Sequence, residues 1–443
     1  GTLTRSQQNY VAEQMAGVRQ ISTFKAMMDN YNRALELEKT ALNSSAGTAM
    51  KINETRADSI DGKLQKLSAT MSKMYNNAVD MKEEGGVYKI IDLDRTATMT
   101  SNQYTDLVKE IRYIPLKMGG IPIGAINDIF INDKYIVLLD AQKSKSIFVY
   151  DWQGKVKCII SAKGHGRGEY LEPASVEIDA QTGFLCVKDD RRCKFLYYDM
   201  NGKFMKEEKT IASVYSMHLG ERVVNQLAVG QTYDREVNFN VAFSQKDSVI
   251  SKGFPYCSIQ LDNIMPNKME FNYKHELLYF PFASDTIYHI LNHNNYIAKY
   301  VFKNQRSLWK YKNEKLSFNE TVKKVKMQAL NRVSSFHETE NFIFYSVYYF
   351  DKTNNCIMNR PFLYDKVKEK SYNVMDIPKG EVKLFAPMDL LCVYKKWCVG
   401  FFNPYVLKRK MGRDYFFKDI QLASIVNSSC GESNPVLVFY KMQ

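Results

Sequence analysis

Two segments of the chain carry the same strand–turn–strand pattern 48 residues apart, and this repeat limits the fold more than any other feature. The segment FVYDWQGKV covers residues 148–156, and FLYYDMNGKF covers residues 195–204. Asp151 aligns with Asp199, and Gly154 aligns with Gly202. In a tight turn an aspartate accepts backbone amide hydrogen bonds, and glycine tolerates the positive φ that follows. Each segment is therefore predicted to be a β-hairpin.

Short apolar or alternating runs continue through residues 87–443, and polar, turn-rich steps separate them. Successive antiparallel strands have this pattern. A period near 50 residues with four strands per unit is typical of β-propeller blades. The roughly 340 residues after position 105 allow six such blades and one insertion. The charged segment 304–333 is the predicted insertion, and we expect it to be helical or irregular.

A closed ring needs its two ends tied together, because an open propeller would leave a strand edge unpaired. The segment EIRYIPL covers residues 110–116, and NPVLVFYKM covers residues 434–442. We predict that these two segments pair in the same blade.

Residues 1–84 have a different composition, with no proline, no cysteine and only four aromatic residues. Ser22 is a plausible N-cap for a first helix. A second helix is predicted where apolar residues recur at alternating steps of three and four, as a heptad pattern does: Ala57, Ile60, Leu64, Leu67, Met71, Met74, Ala78 and Met81. The pattern fits a self-packing hairpin and an intermolecular coiled coil equally, so helix-mediated self-association is one expectation. The sequence thus predicts a helical segment, 1–84, and a propeller, 87–443.

The net charge and the spacing of the cysteines indicate which classes of binding partner and bound ion the protein has. The net charge of +13 is spread through single lysines. A nucleic-acid groove would combine basic clusters with stacking aromatics on one face, so the pattern argues against nucleic acid and suits anionic glycans, lipids or proteins. The eight cysteines form no CxxC pair, and no histidine lies at zinc-finger spacing beside them. We expect buried free thiols, no metal, no cofactor and no membrane span.

The glycine-rich segment AKGHGRGEYLEP, residues 162–173, is the first candidate site. A phosphate cradle would need a helix after the glycines, whereas here Pro173 and strand-forming residues follow. Two interpretations remain. One is a corner between blades, in which Glu169 accepts backbone hydrogen bonds and Tyr170 packs. The other is a ligand-contacting loop that uses His165, Arg167, Glu169 and Tyr170.

Three aspartates form the second candidate site. Asp140, Asp189 and Asp285 each close a strand-like run. They could surround one mouth of the central channel and bind a cation or a sugar, or each could cap its own turn. No GxSxG, HExxH or P-loop pattern is present, and no residue is assigned a catalytic role.

Two resemblances add to these predictions. The segments IRYIPL, INDIFINDKYIVLLD, IFVYDWQGK and KGHGRGEY together resemble a bacterial six-bladed β-propeller family, NHL-like in character, across about four fifths of the chain. The last segment is similar to the family's G.GPGEY loop, although Arg167 stands where the family usually has proline. Members are generally exported, so the resemblance implies the cell envelope and, loosely, a binding role.

The N-terminal part resembles another family. Residues 44–80, with the turn SSAGTA and the run DSIDGKLQKLSAT, resemble a segment of phage tail tape-measure proteins. The likeness covers about a fifth of the chain and implies helical packing, tail assembly and a place in the virion. Our leading hypothesis is a non-enzymatic binding or scaffolding propeller for a protein or glycan ligand. A phage-tail component is the second hypothesis, and a propeller hydrolase or lyase is the third.

Overall fold

The computed structural model describes residues 77–227, 239–246, 248–255, 269–281, 284–314, 316–328, 331–351, 353, 355–374, 390–411 and 419–443. The described chain begins with five strands: β1 (Val79–Asp80), β2 (Lys82–Glu84), β3 (Lys89–Asp92), β4 (Ala97–Met99) and β5 (Val108–Pro115). The predicted helices before residue 77 lie outside the described residues.

Strand β5 and the strands that follow it form six antiparallel four-stranded blades within the described residues, so the predicted six-bladed propeller is confirmed. Blade I contains β6 (Asp128–Ile131), β7 (Ile136–Asp140), β8 (Ser146–Tyr150) and β9 (Val156–Ile160); blade II contains β10 (Pro173–Ile178), β11 (Leu185–Asp189), β12 (Lys194–Tyr198) and β13 (Phe204–Lys209). Blade III contains β14 (Tyr215–Leu219), β15 (Arg222–Gln226), β16 (Phe239–Gln245) and β17 (Ser248–Pro255).

Blade IV contains β18 (Glu270–Phe271), β19 (Leu277–Tyr279), β20 (Thr286–Ile290) and β21 (Asn295–Lys303); blade V contains β22 (Asn331–Glu338), β23 (Phe342–Asp351), β24 (Cys356–Asp365) and β25 (Lys370–Val374). Blade VI contains β26 (Leu390–Tyr394), β27 (Trp397–Phe402), β28 (Val436–Met442) and β5. The described helices are α1 (Ser101–Asp106), α2 (Phe318–Gln328), α3 (Pro404–Met411), α4 (Ile420–Asn427) and a 3-10 turn (Leu308–Tyr311). The 3-10 turn and α2 lie in the charged segment between blades IV and V.

Each blade buries both of its faces, because it is packed between two others. In β7, Ile136 and Leu138 belong to an apolar cluster shared with blade VI. Val137 and Leu139, on the opposite side of the same strand, belong to a cluster shared with blade II. Side chains of a strand alternate between the two faces of its sheet, so a wholly apolar strand fills two inter-blade cores at once.

The two ends of the propeller meet as predicted. Strand β28 pairs antiparallel with β5, from Val436 opposite Pro115 to Met442 opposite Val108. On its other side β28 pairs with β27. The C-terminal strand is therefore paired on both sides within blade VI, and its pairing with β5 closes the ring.

The turns of the repeat also have the expected geometry. Asp151 accepts hydrogen bonds from the amides of Gln153 and Lys155, at 3.0 and 2.9 Å. Asp199 accepts the equivalent bonds from Asn201 and Lys203, both at 2.9 Å. Gly154 and Gly202 have φ of +70° and +85°.

Residues 79–99 form a belt around the outside of three blades, which the sequence did not predict. Strand β1 pairs in parallel with β17, β2 and β3 pair with β21, and β4 pairs with β25. The prediction of a helical segment for residues 1–84 is therefore wrong for residues 79–84, which include β1 and β2. Met81 is buried in a core cluster with residues of blades III and IV, and its amide donates to the Lys252 carbonyl oxygen at 2.7 Å.

Candidate functional site

The ring has two distinct faces. In blades I to V, the first and second strands and the third and fourth strands are joined on one side, for example by residues 132–135 and 151–155 of blade I, and in blade VI the first and second strands are joined on this side; we call it the hairpin face. The second-to-third connections and the crossings between blades lie on the opposite side, for example residues 141–145 and 161–172; we call this the crossover face. These assignments follow from the antiparallel order of the strands.

A cavity of about 620 Å³ opens on the hairpin face. Asp133, Tyr273 and Lys395 lie in the first hairpin loops of blades I, IV and VI, which are the innermost loops on this face. Since three separate blades contribute to it, the cavity lies at the mouth of the central channel. We call it the aromatic–cationic cavity, after its lining residues: Arg112, Asp133, Trp152, Tyr273, Tyr394, Lys395, Lys396 and Trp397.

Contacts between blades I and VI hold the aromatic side chains. Trp152 donates an indole hydrogen bond to the Asn132 carbonyl oxygen at 3.1 Å. Its ring centroid lies 5.6 Å from that of Tyr394 and 5.3 Å from that of Phe439. Offset aromatic pairs at such separations are favourable beyond their buried area. The indole is thus fixed by three partners and still borders the cavity.

Arg112 lies over the second tryptophan of the cavity. The guanidinium carbon of Arg112 is 4.5 Å from the ring centroid of Trp397, within the range of a cation–π interaction. The same guanidinium donates to the Glu110 carboxylate at 2.9 and 2.6 Å. These contacts orient a cation and an aromatic ring together.

Lysine charges outnumber carboxylates beside the cavity. Lys395 donates to Asp133 at 2.5 Å, and this bond lowers the pKa of Asp133 and raises the pKa of Lys395. Close approach of Lys396 lowers the pKa of Lys441, and Lys109 adds to the effect. The Glu110 carboxylate, directly opposite Lys441 in β5, opposes part of the shift. Among the described residues, no carboxylate forms an ion pair with Lys109, Lys396 or Lys441. A mobile anion would relieve their repulsion.

A buried ionic network joins blades IV and V next to the cavity. The Glu338 carboxylate is 2% exposed and accepts hydrogen bonds from Lys299 at 2.8 Å and Lys366 at 2.7 Å. Burial by itself would raise the pKa of Glu338, but the two lysines outweigh this effect and lower it. Tyr300 donates to the same carboxylate at 2.6 Å. The Lys366 ammonium also lies 4.8 Å from the ring centroid of Tyr273, so the network supports one wall of the cavity.

The glycine-rich loop has the contacts of a corner between blades I and II. The Glu169 carboxylate accepts the Gly166 amide hydrogen bond at 2.7 Å. Tyr170 is fully buried, and its hydroxyl lies 2.8 Å from the Lys145 carbonyl oxygen and 2.9 Å from that of Ile160. Arg192 donates to the Glu169 carbonyl oxygen at 2.9 Å. Glu169 and Tyr170 therefore both form hydrogen bonds within the protein, and of the two Tyr170 is buried.

The other two loop candidates are exposed on the crossover face. His165 and Arg167 are both exposed, and the Arg167 guanidinium carbon lies 5.8 Å from the Phe204 ring centroid. Ligand contact by this loop stays a prediction for these two side chains.

The three candidate aspartates lie on the crossover face, in three different blades. Asp140 accepts amide hydrogen bonds from Lys143 and Gly124, both at 2.8 Å. Asp189 accepts them from Leu171 at 3.0 Å and Glu172 at 3.1 Å. These bonds hold local turns and crossings between blades. In the described part of the chain the three carboxylates do not form a group with oxygen atoms within 4.8 Å of one another.

Asp285 differs from the other two. Its Oδ1 is buried without a hydrogen-bond partner. Burial raises the pKa of its carboxyl group to about 6, and a hydrogen bond with Ser307 opposes part of the shift. The 3-10 turn that contains Leu308 follows directly after Ser307, so the insertion between blades IV and V contributes to this environment.

Sequence reasoning missed the aromatic–cationic cavity. Its residues come from several blades, and no short motif contains more than a few of them. One signal was available, since two of the chain's three tryptophans, Trp152 and Trp397, line the cavity.

The fold is that of a six-bladed β-propeller, and solved structures of bacterial proteins are similar to it. A Bacteroides fragilis protein that is named as exported has a similar solved structure, with a TM-score of 0.63 and 17% sequence identity, over 80% of this chain and 100% of that one. A DUF4221 family member from Bacteroides vulgatus has a TM-score of 0.48 and 12% identity, over 76% of this chain and 97% of that one. At 17% identity the likeness to the B. fragilis structure shows the fold alone.

Residues 88–441 match the family described as domain of unknown function DUF4934. The chain belongs to this family. The match begins after the segment that resembles tape-measure proteins, so that resemblance and the NHL-like character stay predictions.

None of the helices in the described part of the chain is both long and apolar enough to cross a membrane.

Proposed function

We propose that this protein is a non-enzymatic binding propeller that recognises an anionic glycan at the aromatic–cationic cavity. The observation that carries the proposal is the lining itself, in which Trp152, Tyr394 and Trp397 lie beside Arg112 and Lys396. Aromatic rings offer flat apolar surfaces to the C–H faces of sugars, and cations attract carboxylate or sulfate groups. Together they suit acidic sugars better than neutral ones.

The size of the cavity favours a glycan segment over a protein partner. Small-molecule sites occupy roughly 300–1,000 Å³, and this cavity measures about 620 Å³. A specific protein partner would need a contact area of about 800 Å² on each side. A protein ligand is therefore the alternative outcome of the binding experiment.

The cavity supports binding better than hydrolysis. Asp133 is the single carboxylate among its eight lining residues, and it is paired with Lys395. Glycoside hydrolysis usually requires two carboxylates on opposite sides of the bond. The B. fragilis neighbour is named as exported, and we propose by analogy that this chain acts in the cell envelope.

Calorimetric titration of the full chain with an oligogalacturonate and with a neutral cello-oligosaccharide of equal length tests the proposal. We expect the acidic oligosaccharide to bind more tightly, with affinity that falls as salt is added. Lys396→Glu should weaken binding by at least about tenfold, since it reverses one charge beside the ligand. Lys143→Glu, at an exposed position of the 141–145 connection on the crossover face, is the matched control and should bind as the wild type does.

Equal binding of the two oligosaccharides, or no binding of the acidic one, would contradict the proposal. Equal loss in both lysine variants would indicate a long-range effect of net charge instead of a site.

The assembly hypothesis concerns the heptad pattern of residues 57–81, most of which lies outside the described residues. Since the first described strand begins at Val79, deletion of residues 1–76 keeps every strand of the belt and of the propeller. If the helices drive assembly, light scattering should show an oligomer for the full chain and a monomer for the shortened one. The same number of chains per particle for both proteins would rule it out.

A further inference from the structure

A second cluster of chemically distinctive side chains lies between blades II and III, away from the aromatic–cationic cavity. Glu177 in β10 is directly opposite Cys186 in β11, and Cys186 is opposite Tyr197 in β12. Directly paired residues of neighbouring strands project from the same face of a sheet. His218 in β14, the first strand of blade III, faces this row, with its Nδ1 2.5 Å from a Glu177 carboxylate oxygen.

The cluster brings three kinds of metal ligand together. One carboxylate oxygen of Glu177, the Cys186 sulfur and one imidazole nitrogen of His218 all lie within 4.8 Å of one another. Ligands of a tetrahedral zinc ion at 2.0–2.3 Å are about 3.3–3.8 Å apart, so side-chain adjustments of about 1 Å would place these atoms around one ion. Cys186 is 1% exposed, and the Glu177 and His218 side chains are 16% and 18% exposed.

The surroundings favour a cation. The carboxylates of Glu177, Asp179 and Glu208 all act electrostatically on the His218 imidazole. Lys206 pairs with Glu208 at 2.7 Å and neutralises one of the three. A bound divalent cation would balance the remaining negative charge and that of a thiolate at Cys186.

The second nitrogen of the His218 ring has a hydrogen-bond partner, as the second nitrogen of a metal-bound histidine usually does. The Nε2 atom of His218 lies 3.4 Å from the Tyr197 hydroxyl, and that hydroxyl donates to Glu208 at 3.1 Å. A hydrogen bond from the distal nitrogen fixes the tautomer and orientation of a ligating imidazole. With Nε2 facing Tyr197, Nδ1 is the nitrogen that faces Glu177.

We propose that Glu177, Cys186 and His218 bind Zn²⁺ or a similar thiophilic divalent cation between blades II and III. Thiolate and imidazole ligands together are typical of zinc sites, and a carboxylate is an accepted third ligand. On binding, the S–H bond of Cys186 breaks and its proton goes to solvent. The Nδ1 proton of His218, which bonds Glu177 in the metal-free protein, also leaves Nδ1: it goes to solvent from a protonated ring, or is replaced by a proton taken up at Nε2 in a neutral one, and the freed Nδ1 lone pair binds the ion. No electron is transferred. Three protein ligands leave one tetrahedral position open to water.

Titration of the metal-free full chain with Co²⁺ tests the site, because a cobalt–thiolate bond gives a charge-transfer absorption that nitrogen and oxygen ligands do not. Every protein in the series carries Cys430→Ser, since Cys430 is exposed and could bind cobalt by itself. We expect the band to saturate at one Co²⁺ per chain. Cys186→Ser should abolish it, and Glu177→Gln should weaken Co²⁺ binding by at least about tenfold.

Cys158→Ser is the matched control, because Cys158 is a partly buried cysteine of blade I and should leave the band unchanged. A band that persists without Cys186, or that depends on Cys158, would overturn the assignment, as would the absence of any band. If a variant does not fold, X-ray absorption of the zinc-loaded Cys430→Ser protein decides the matter. One sulfur ligand with nitrogen or oxygen ligands is expected, and a shell without sulfur would refute the proposal.

Discussion

Single glycines shape the corner between blades I and II because neighbouring side chains leave no room for a Cβ atom. A Cβ on Gly164 would lie 2.1 Å from a Glu169 carboxylate oxygen, and one on Gly168 would lie 2.5 Å from the Phe204 ring. Gly168 also has φ of +76°, a conformation that disfavours other residues. Steric and backbone requirements therefore explain the presence of these glycines without a bound ligand.

Gly168→Ala and Gly183→Ala form a matched pair that separates the two costs. Their φ values, +76° and +70°, are nearly equal, but no atom lies within 4 Å of a Cβ on Gly183. We expect Gly183→Ala to lower the free energy of unfolding by about 1–2 kcal/mol, the cost of the left-handed conformation alone. Gly168→Ala should cost about 1–3 kcal/mol more, because Phe204 must move. Urea unfolding measures both, and equal losses would show that the loop adapts freely.

Asp285 gives a pH dependence of stability with a definite sign. Burial raises its pKa in the folded protein to about 6 from its ordinary 3.8. The folded state therefore binds more protons than the unfolded state between about pH 4 and 6, so stability falls as the pH rises through this range. Asp285→Asn cannot ionise and should remove this fall.

Chemical unfolding of the wild type and Asp285→Asn at several pH values from about 4 to 7 measures the effect. The variant should be more stable than the wild type near pH 7, and the difference should shrink towards pH 4. Two curves that stay parallel over this range would disprove the assignment.

At the scale of elements, the belt acts as an outer clamp on blades III, IV and V. Strand β3 adds Ile91 to the apolar cluster between blades IV and V, where the side chain is fully buried. The adjacent Ile90 points outward and is 56% exposed. The belt thus contributes core contacts as well as main-chain hydrogen bonds to the sheet edges.

Ile91→Ala and Ile90→Ala test this role of the belt with the same chemical change at neighbouring positions. Ile91→Ala should lower the free energy of unfolding by about 2–4 kcal/mol, since it leaves a cavity between two blades. Ile90→Ala should change it by no more than about 0.5 kcal/mol. Similar effects in equilibrium urea unfolding would mean that β3 is not held against the propeller.

At the scale of the whole molecule, stability depends on closure of the ring. Strand β28 lies between β27 and β5, so one strand from the C-terminal part joins the two ends of the propeller. Without it, the edges of β27 and β5 would both be unpaired. The buried ion pairs of Glu338 with Lys299 and Lys366 also connect blade IV with blade V.

Val438→Pro tests closure, because Val438 is fully buried in the middle of β28 and proline has no amide donor. We expect Val438→Pro to lose about 2–4 kcal/mol more than Val438→Ala does, from one broken hydrogen bond and one buried carbonyl left without a partner. Val438→Ala keeps the amide and should retain a single cooperative transition by circular dichroism. If the proline variant unfolds as the alanine variant does, closure contributes little.

The sequence predicted those features that depend on local chemistry. Asp151 and Asp199 act as turn acceptors because their partners lie two and four residues ahead, so the hairpins and their period could be read directly. The pairing of the first and last strands was also predictable, because a closed ring requires the unpaired strand edges at its two ends to pair with each other. Glu169 and Tyr170 lie within the same short loop as their glycines, and the corner interpretation used that proximity.

The tertiary structure alone decided which distant residues meet. Met81 fits a heptad as well as it fits a strand, and pairing with the outer edges of blades III and IV determined that its neighbours are strands. Asp133, Tyr273 and Lys395 are far apart in sequence, and Glu177 and His218 belong to different blades. Their proximity depends on the angle at which successive blades are packed, and that angle arises from contacts over whole sheets, which no local pattern encodes.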